Sequence, residues 1–580
     1  MKEKIFLLIA AWGIAALFAF NRQTGEQAPG DRMSSIEYRK KNSIPCTPDW
    51  SVLNQVLEET DIPVITGAGK YKWNITTSHD SAQFYFNQGI SMYYAFHIIE
   101  SMASFKKAAR FDPQSAMLQW AQALAYGPNI NDVGYAASPE ALATSRNAKA
   151  WSAGCTEKEK MLIEAQYARY SDDTTESREV LNQRYADKMK EAYMQYPDDA
   201  DVAALYADAL MLQHPWDLWL VDGTPRPWTP SIREVLEKLL ARSPNHPGAN
   251  HYYIHVMEPS PFAAKALPSA DRMGKLTPGL SHTVHMPSHI YLRTGFYEKG
   301  VKVNEAAVSS YEKMIPLYAP VTENAFLYII HNLHMQTNHA MLQGNYGIAS
   351  TSATATRNSV PAEYLKLAGG LGNYIQYIYM TPVLSYVRFG SWNELLAEPA
   401  PADSLVYASL LYHFGKGMAY AADEKLKPAT AELEKVRQLL MHPVLKEPFT
   451  PFSPAYEGAT VAANLLAGTI SLKKNNYEEA INAFEKAVHT EENMVYTEPR
   501  DWMLNPKHYL AHAYLQARQP EKALSVLLKD LDNNHENGWA LFGCSQALKA
   551  QNNKPEADKY LTRYRIAFEK ADVRLKGPVF

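Results

Sequence analysis

Four histidines fall in two pairs, His251 with His255 and His285 with His289. Each pair is spaced by four residues, and the pairs stand 34 residues apart. A spacing of four puts both rings of a pair on one helix face. A period of 34 is that of a helical repeat, so stacked units present both pairs to one space. At 100° per residue, Glu258 joins the first pair within an arc of about 60°, and His282 joins the second within a similar arc. Imidazoles and a carboxylate in this number are metal ligands by type. They exceed the set that a single zinc takes, so two ions, or one ion backed by a shell of further histidines, fit the count. Histidine with carboxylate suits zinc, iron or manganese, while Met257, Met286 and Met335 keep copper open. Such an ion activates water for hydrolysis, with Glu258 as ligand or general base, or, if redox-active, oxidises an organic substrate.

His331, His334 and His339 form a looser third set, of which the first two share a face and extend the ligand candidates. In repeat register His251, His285 and His334 take the fifth place of their units, and His255 and His289 the ninth. Both places lie on the first helix, on the side that lines the concavity of a stacked array. His508 and His512 take the same two places, but they reach the site only if the superhelix closes on itself. His97 with Glu100, together with Tyr252 and Arg293, are candidates for substrate contact or an outer shell. A single core histidine satisfied by hydrogen bonds needs no metal. A cluster of this size leaves donors and acceptors that are hard to satisfy without one. The chain contains no His-Glu-x-x-His sequence, no Gly-rich phosphate loop and no dinucleotide fingerprint.

The elements that must hold these residues are helix pairs. Gly89, Phe105, Ala108 and Pro113 take the small, aromatic, small and proline positions of a tetratricopeptide unit. Gly300, Asn304 and Ala307 repeat part of that order, and Gly468, Ala480, Phe484 and Ala487 repeat it again. The spacing predicts an all-α, tetratricopeptide-like superhelix with irregular insertions. Residues 1–20 form a signal peptide or anchor and 21–77 a tether and lead-in. N-terminal repeats span 78–245, a histidine-rich centre 246–380, a connecting helical region 381–460 and C-terminal repeats 461–580. His214 to Pro230 carries four prolines and three tryptophans, which forbid a continuous helix and predict a wall over the concavity. Thr381 to Pro401 reads as a second irregular stretch.

With 57 Lys and Arg against 61 Asp and Glu the net charge is −4, so no basic face for nucleic acid is expected. The 36 tyrosines supply apolar bulk with hydroxyls that can line a polar cavity. Lys2 and Lys4 precede an apolar run from Ile5 to Phe20, the outline of an export signal or a retained membrane anchor. No cysteine closes that run, which argues against a lipid anchor. Export places the chain in the periplasm or otherwise outside the cytoplasm. Cys46, Cys155 and Cys544 are too few to staple a chain of this size.

Phe86-Asn87-Gln88-Gly89, the segment from Phe105 through Pro113, His251-Tyr-Tyr-Ile-His255 and the run from His282 to His289 resemble large bacterial tetratricopeptide-repeat proteins with a histidine-rich central core. The resemblance covers roughly residues 80 to 560 and implies the helical-repeat fold. Ordinary repeat units bind peptides. The main expectation is therefore an exported metalloenzyme with hydrolytic or oxidative activity on a small molecule or peptide. The alternatives are a noncatalytic scaffold for a peptide or protein partner, and a metal carrier.

Overall fold

The computed structural model of the chain describes residues 50–131, 135, 137–318, 320, 322–449, 452–498 and 502–580. The expected signal or anchor at 1–20, the tether up to residue 49, and Cys46 lie outside the described residues. The described chain belongs to one compact unit, Ser43–Phe580. It is built of α-helices, and among the described residues extended pairing is confined to the isolated bridges Trp219↔Pro225 and Phe449↔Phe452. No helix among them is long and apolar enough to cross a membrane.

Consecutive helices pack in pairs: Asp80–Tyr93 on Ile98–Phe111, Tyr297–Met314 on Thr322–Gln343, Ala455–Lys473 on Tyr477–Glu492, and Gly538–Ala550 on Lys554–Ala567. One turn recurs between paired helices. A left-handed residue follows the first helix, and the next N–H closes on the carbonyl five residues back, a Schellman closure that satisfies carbonyls the helix end would otherwise leave unpaired. His97 closes on Met92 after Phe96, Asn476 on Ser471 after Asn475, Gln519 on Tyr514 after Arg518, and Asn553 on Leu548 after Asn552. Glycine takes that place at Gly295 and Gly344, where Phe296 and Asn345 close in the same way. The repetition of this turn gives the tetratricopeptide-like superhelix its common unit.

Within a pair, close approach depends on the small residues singled out by the spacing. A methyl on Gly89 would sit 2.4 Å from the Phe105 ring, and one on Gly468 would sit 2.5 Å from Phe484. Both rings are wholly buried, so neither can yield without opening the core.

Two expectations need correction. From Trp50 on, the stretch read as tether and lead-in is part of the core: helix Trp50–Glu59 and the chain after it bury Trp50, Leu57, Ile62, Trp73 and Ile75. Thr381 to Pro401 is mostly helical, with Thr381–Phe389 and Trp392–Ala397. Pro382 sits in the first turn, where a missing N–H has no intrahelical partner to lose. The His214–Pro230 segment is irregular as far as Trp228, and its Trp219 indole donates to the Val256 carbonyl at 2.7 Å, which fixes it to the His251 helix. Cys155 and Cys544 are free thiols.

The superhelix closes on itself. Tyr297 donates to the His535 carbonyl at 2.8 Å, Trp539 Nε1 to the Met341 carbonyl at 2.9 Å, and the Tyr346 amide to Asp572 at 2.6 Å. C-terminal repeats therefore back the histidine-rich centre. We expect Gly89→Ala and Gly468→Ala each to cost about 1–3 kcal/mol by overpacking. Gly274→Ala, with nothing within 4 Å of the new methyl, should be neutral or gain a few tenths to about 1 kcal/mol; chemical denaturation of the three variants tests the contrast.

Candidate metal centre

The first histidine row lies on helix Pro247–Met257, every residue of which is buried. His246 opens that helix, its Nδ1 accepting from the Ala249 amide at 3.0 Å. Glu258 follows in helical conformation, which keeps it on the same face. The second row is not on one helix as its periodicity suggests. Pro287 divides it into Ser281–His285 and Pro287–Thr294, because proline cannot donate to the ladder. Met286 between them keeps helical angles, so the rings stay in register. His331 comes from helix Thr322–Gln343.

The rows regroup into two trios. In the first, His251 Nε2 lies 3.0 Å from His255 Nε2 and 3.1 Å from His282 Nε2. In the second, His285 Nε2 lies 2.7 Å from His289 Nε2 and 3.1 Å from His331 Nε2. The trios are neighbours, with ring centroids 6.5 Å apart for His255 and His289 and 6.0 Å apart for His282 and His285. Each set has three ligand atoms close enough to share an ion.

What the other ring nitrogens do decides how these contacts are read. His251 Nδ1 lies 2.6 Å from the Tyr94 carbonyl, which can only accept, so the proton sits on Nδ1 and Nε2 carries a lone pair. His255 Nδ1 donates to Glu258 Oε1 at 3.0 Å. His285 Nδ1 is 2.7 Å from Asn304 Oδ1, and the Asn304 amide is oriented by donating to the Gly300 carbonyl at 2.8 Å. With Nδ1 committed on these rings, neutral imidazoles bring lone pairs together at about 3 Å, where they repel. A shared proton relieves one contact of a trio, whereas a metal ion relieves all three. Outward Nδ1 donors and inward Nε2 lone pairs are also how metal-bound histidines are ordinarily held.

Glu258 joins the trios from behind. Its Oε1 accepts from His255, while its Oε2 accepts from Tyr496 at 2.8 Å and lies 2.9 Å from His289 Nδ1, off the line of a hydrogen bond. Glu498 Oε1 adds a second carboxylate 3.1 Å from His255 Nδ1. Burial pushes His251, His282 and His285 well below the ordinary imidazole range, and neighbouring imidazoles push the same way. Burial likewise takes His331 to about 3. His255 is different: burial disfavours its charge, but hydrogen bonds and charge from Glu258 and Glu498 outweigh that and hold it at about 9. Burial would raise Glu258, yet the charges of His289 and His255 keep it well below the carboxylate range. Burial and the charge of Glu258 push Glu498 up.

Other candidates take supporting or separate places. His97 Nδ1 bonds Glu100 at 3.0 Å, and its Nε2 faces the His282 amide at 3.4 Å, so this pair braces the first trio. Tyr252 lies wholly buried beside His251, its hydroxyl without a hydrogen-bond partner, and Arg293 Nη2 donates to the Ser260 carbonyl. His334 belongs to neither trio; its Nδ1 is 3.0 Å from the Thr381 hydroxyl. His339 faces the Ser288 carbonyl and fills the space over Gly300. His508 is held by Asp530 and Arg388, and His512 lies beside Gly577, so closure of the superhelix brings neither into the trios.

Three residues carry no sequence signal for this site, and a fourth, Trp216, lies in the segment expected to wall the concavity. Tyr496 and Glu498 arrive from a loop far along the chain. Phe96 packs its ring 4.4 Å from His251 and within 6 Å of His255 and His282. Trp216 sets its ring edge-on to His255 at 5.4 Å. Phe96 and Trp216 both have left-handed backbone, with φ of 56° and 63°. For bulky residues that costs on the order of 1–3 kcal/mol, and such positions concentrate at functional sites.

No family model matches the chain, and no curated protein matches it. Among solved structures it is similar to the human IFIT1 dimer with m7Gppp-AAAA, with 12% identity and a TM-score of 0.30 over 86% of this chain and 92% of that one. It is also similar to yeast Tom70, with 12% identity and a TM-score of 0.28 over 84% and 93%. The APC/C hetero-tetramer Cut9–Hcn1 gives 12% and 0.26 over 90% and 81%. None of the molecules bound or assembled in those structures passes to this chain.

Asn304 offers a direct check of the proton placement. Asn304→Leu removes that acceptor and leaves the buried His285 Nδ1 proton only the Ser288 hydroxyl at 3.3 Å, which we expect to cost about 1–3 kcal/mol in denaturant unfolding. Asn304→Asp keeps an acceptor and should lose less. Equal losses for the two variants would show that His285 does not donate there.

Proposed function

We propose that this chain is a metal-dependent helical-repeat protein that holds two ions, one on His251, His255 and His282 and the other on His285, His289 and His331. The observation that carries the reading is the convergence of three Nε2 atoms in each trio while the Nδ1 atoms of His251, His255 and His285 are engaged elsewhere. An all-imidazole set favours zinc, copper or iron over manganese, which prefers oxygen ligands. Three protein ligands leave a position open on each ion, the pattern of a reactive rather than a purely structural site. Water activation and substrate oxidation both follow from such a position, and the identity of the metal decides between them.

In this reading Glu258 is a positioning residue. Its oxygens accept from His255 and Tyr496 and lie 2.9 Å from His289 Nδ1, so it orients both trios rather than serving as the general base. The Lys2 and Lys4 pattern before Ile5–Phe20 supports a place outside the cytoplasm, and the central histidine motifs support membership of the bacterial repeat family they resemble. A second reading, a scaffold for a peptide or protein, draws on an open polar groove of about 470 Å³ on the C-terminal repeats, bounded by Thr460, Asn464, Asn482, Glu485 and Lys486.

Metal analysis of the untagged, full-length protein tests the main reading. We expect about two ions per chain, and saturating metal at roughly a hundred times its Kd should raise the unfolding free energy by about 2.7 kcal/mol for each ion held. His255→Ala and His285→Ala should each remove about one ion, and the double variant both. The exposed His489 should be replaceable without loss. A chain without metal, whose melting is unchanged by chelator, would falsify this reading and leave the groove as the functional surface.

A further inference from the structure

Resting on the two-ion reading, we infer that a cleft beside the first trio receives an uncharged, apolar group no larger than a methyl or a diatomic molecule, and that Trp216 sets this size. Ile130, Met211, Trp216 and Leu218 line the cleft with His214 and His255, around a space of about 10 Å³. That is close to the room of a single water. A water there would find few partners. His255 has Nε2 turned to His251 and Nδ1 to Glu258, which leaves the edge of His214, stacked on Trp228 with ring centroids 3.6 Å apart, and the Trp216 indole N–H as the polar groups of the lining. The rest of the lining is hydrocarbon, thioether and indole. Polar spaces of this size take water, while apolar ones stay dry and accept apolar guests. A charged ligand would lose its hydration there without replacement.

The cleft is also held from outside. Trp219 Nε1 hooks the segment onto the Val256 carbonyl, Trp228 Nε1 donates to the Asp217 carbonyl at 2.7 Å, and Arg226 pairs with Asp217 at 2.7 Å. These bonds flank Trp216 and keep its left-handed backbone in place. Its ring meets His255 on one side and Phe452 on the other, at 5.4 and 6.0 Å between centroids. An indole so placed limits the space next to a ligand of the first trio. Trp216 is thus a specificity-determining residue, and the part of a substrate admitted there is small and apolar.

Two apolar probes test this on the full chain. Xenon under pressure should appear in crystals of the wild type between Met211, Leu218 and Trp216. Toluene, too large for the wild-type cleft, should bind Trp216→Ala at least tenfold more tightly than wild type in NMR titrations, and Trp216→Phe should fall between them. Xenon absent from the cleft, or equal toluene affinity in wild type and Trp216→Ala, overturns the inference. The xenon measurement needs no variant, so it stands even if Trp216→Ala fails to fold. Metal content measured on the same samples separates the two claims: two ions without xenon sinks the cleft alone, whereas xenon bound to a chain that holds no metal supports the apolar cleft and sinks the two-ion reading.

Discussion

Imidazole lone pairs do not gather in a protein interior unless the rings are gripped from behind, and Glu258 is the grip that both trios share. One carboxylate takes His255 on one oxygen and meets His289 on the other. Because these two rings belong to different helices and different trios, moving Glu258 would disturb both at once. The Tyr94 carbonyl and the Asn304 amide repeat the same device on His251 and His285. Buried polar networks of this kind specify one arrangement when every member is satisfied and are costly when one is not. Nδ1 is satisfied on His251, His255 and His285. At Nε2 the arrangement asks for a cation.

The helical repeat explains how such partners can be supplied. The Tyr94 carbonyl is available because helix Asp80–Tyr93 ends there in the recurring closure through Phe96. The same turn that spaces the repeats therefore also sets the Phe96 ring over the first trio. Asn304 sits one helical turn beyond Gly300, the small residue over which His339 packs. Positions that a repeat uses for packing are here turned to orienting imidazoles. The two sharply bent, bulky residues, Phe96 and Trp216, both touch the first trio, where stored backbone strain is offset by the anchoring around it.

How much of this was legible follows from the range over which each signal acts. The 34-residue period and the small residues Gly89 and Gly468 are local facts of a helix pair, and they predicted the pairing seen in the fold. The convergence of His251, His255, His285 and His289 was readable for the same reason. The regrouping into trios was not, since His282 crosses to the first row and His331 enters from a helix beyond an insertion. His334 shares the repeat place of His251 and His285, but its helix turns it toward Thr381. Tyr496 lies 238 residues from the carboxylate it binds. Only the closing of the superhelix brings them together, and no periodicity records that. The stretch from Trp50 carries no repeat period, so anchors such as Ile62, Trp73 and Ile75 leave no periodic signal of the core they join.

Closure also bears on which kind of function this fold has kept. A repeat array that serves only to bind a partner gains from an open concavity, because the concavity is its binding surface. Here the C-terminal repeats lie against the centre, and Tyr496 plants its hydroxyl on Glu258. Closure gives a buried centre, in which an ion held on the trios, as proposed above, would be poorly screened and would act strongly on whatever reaches it. The open groove on the C-terminal repeats and the closed centre therefore suit different tasks, and the closed centre is where this chain has concentrated its chemistry-bearing residues.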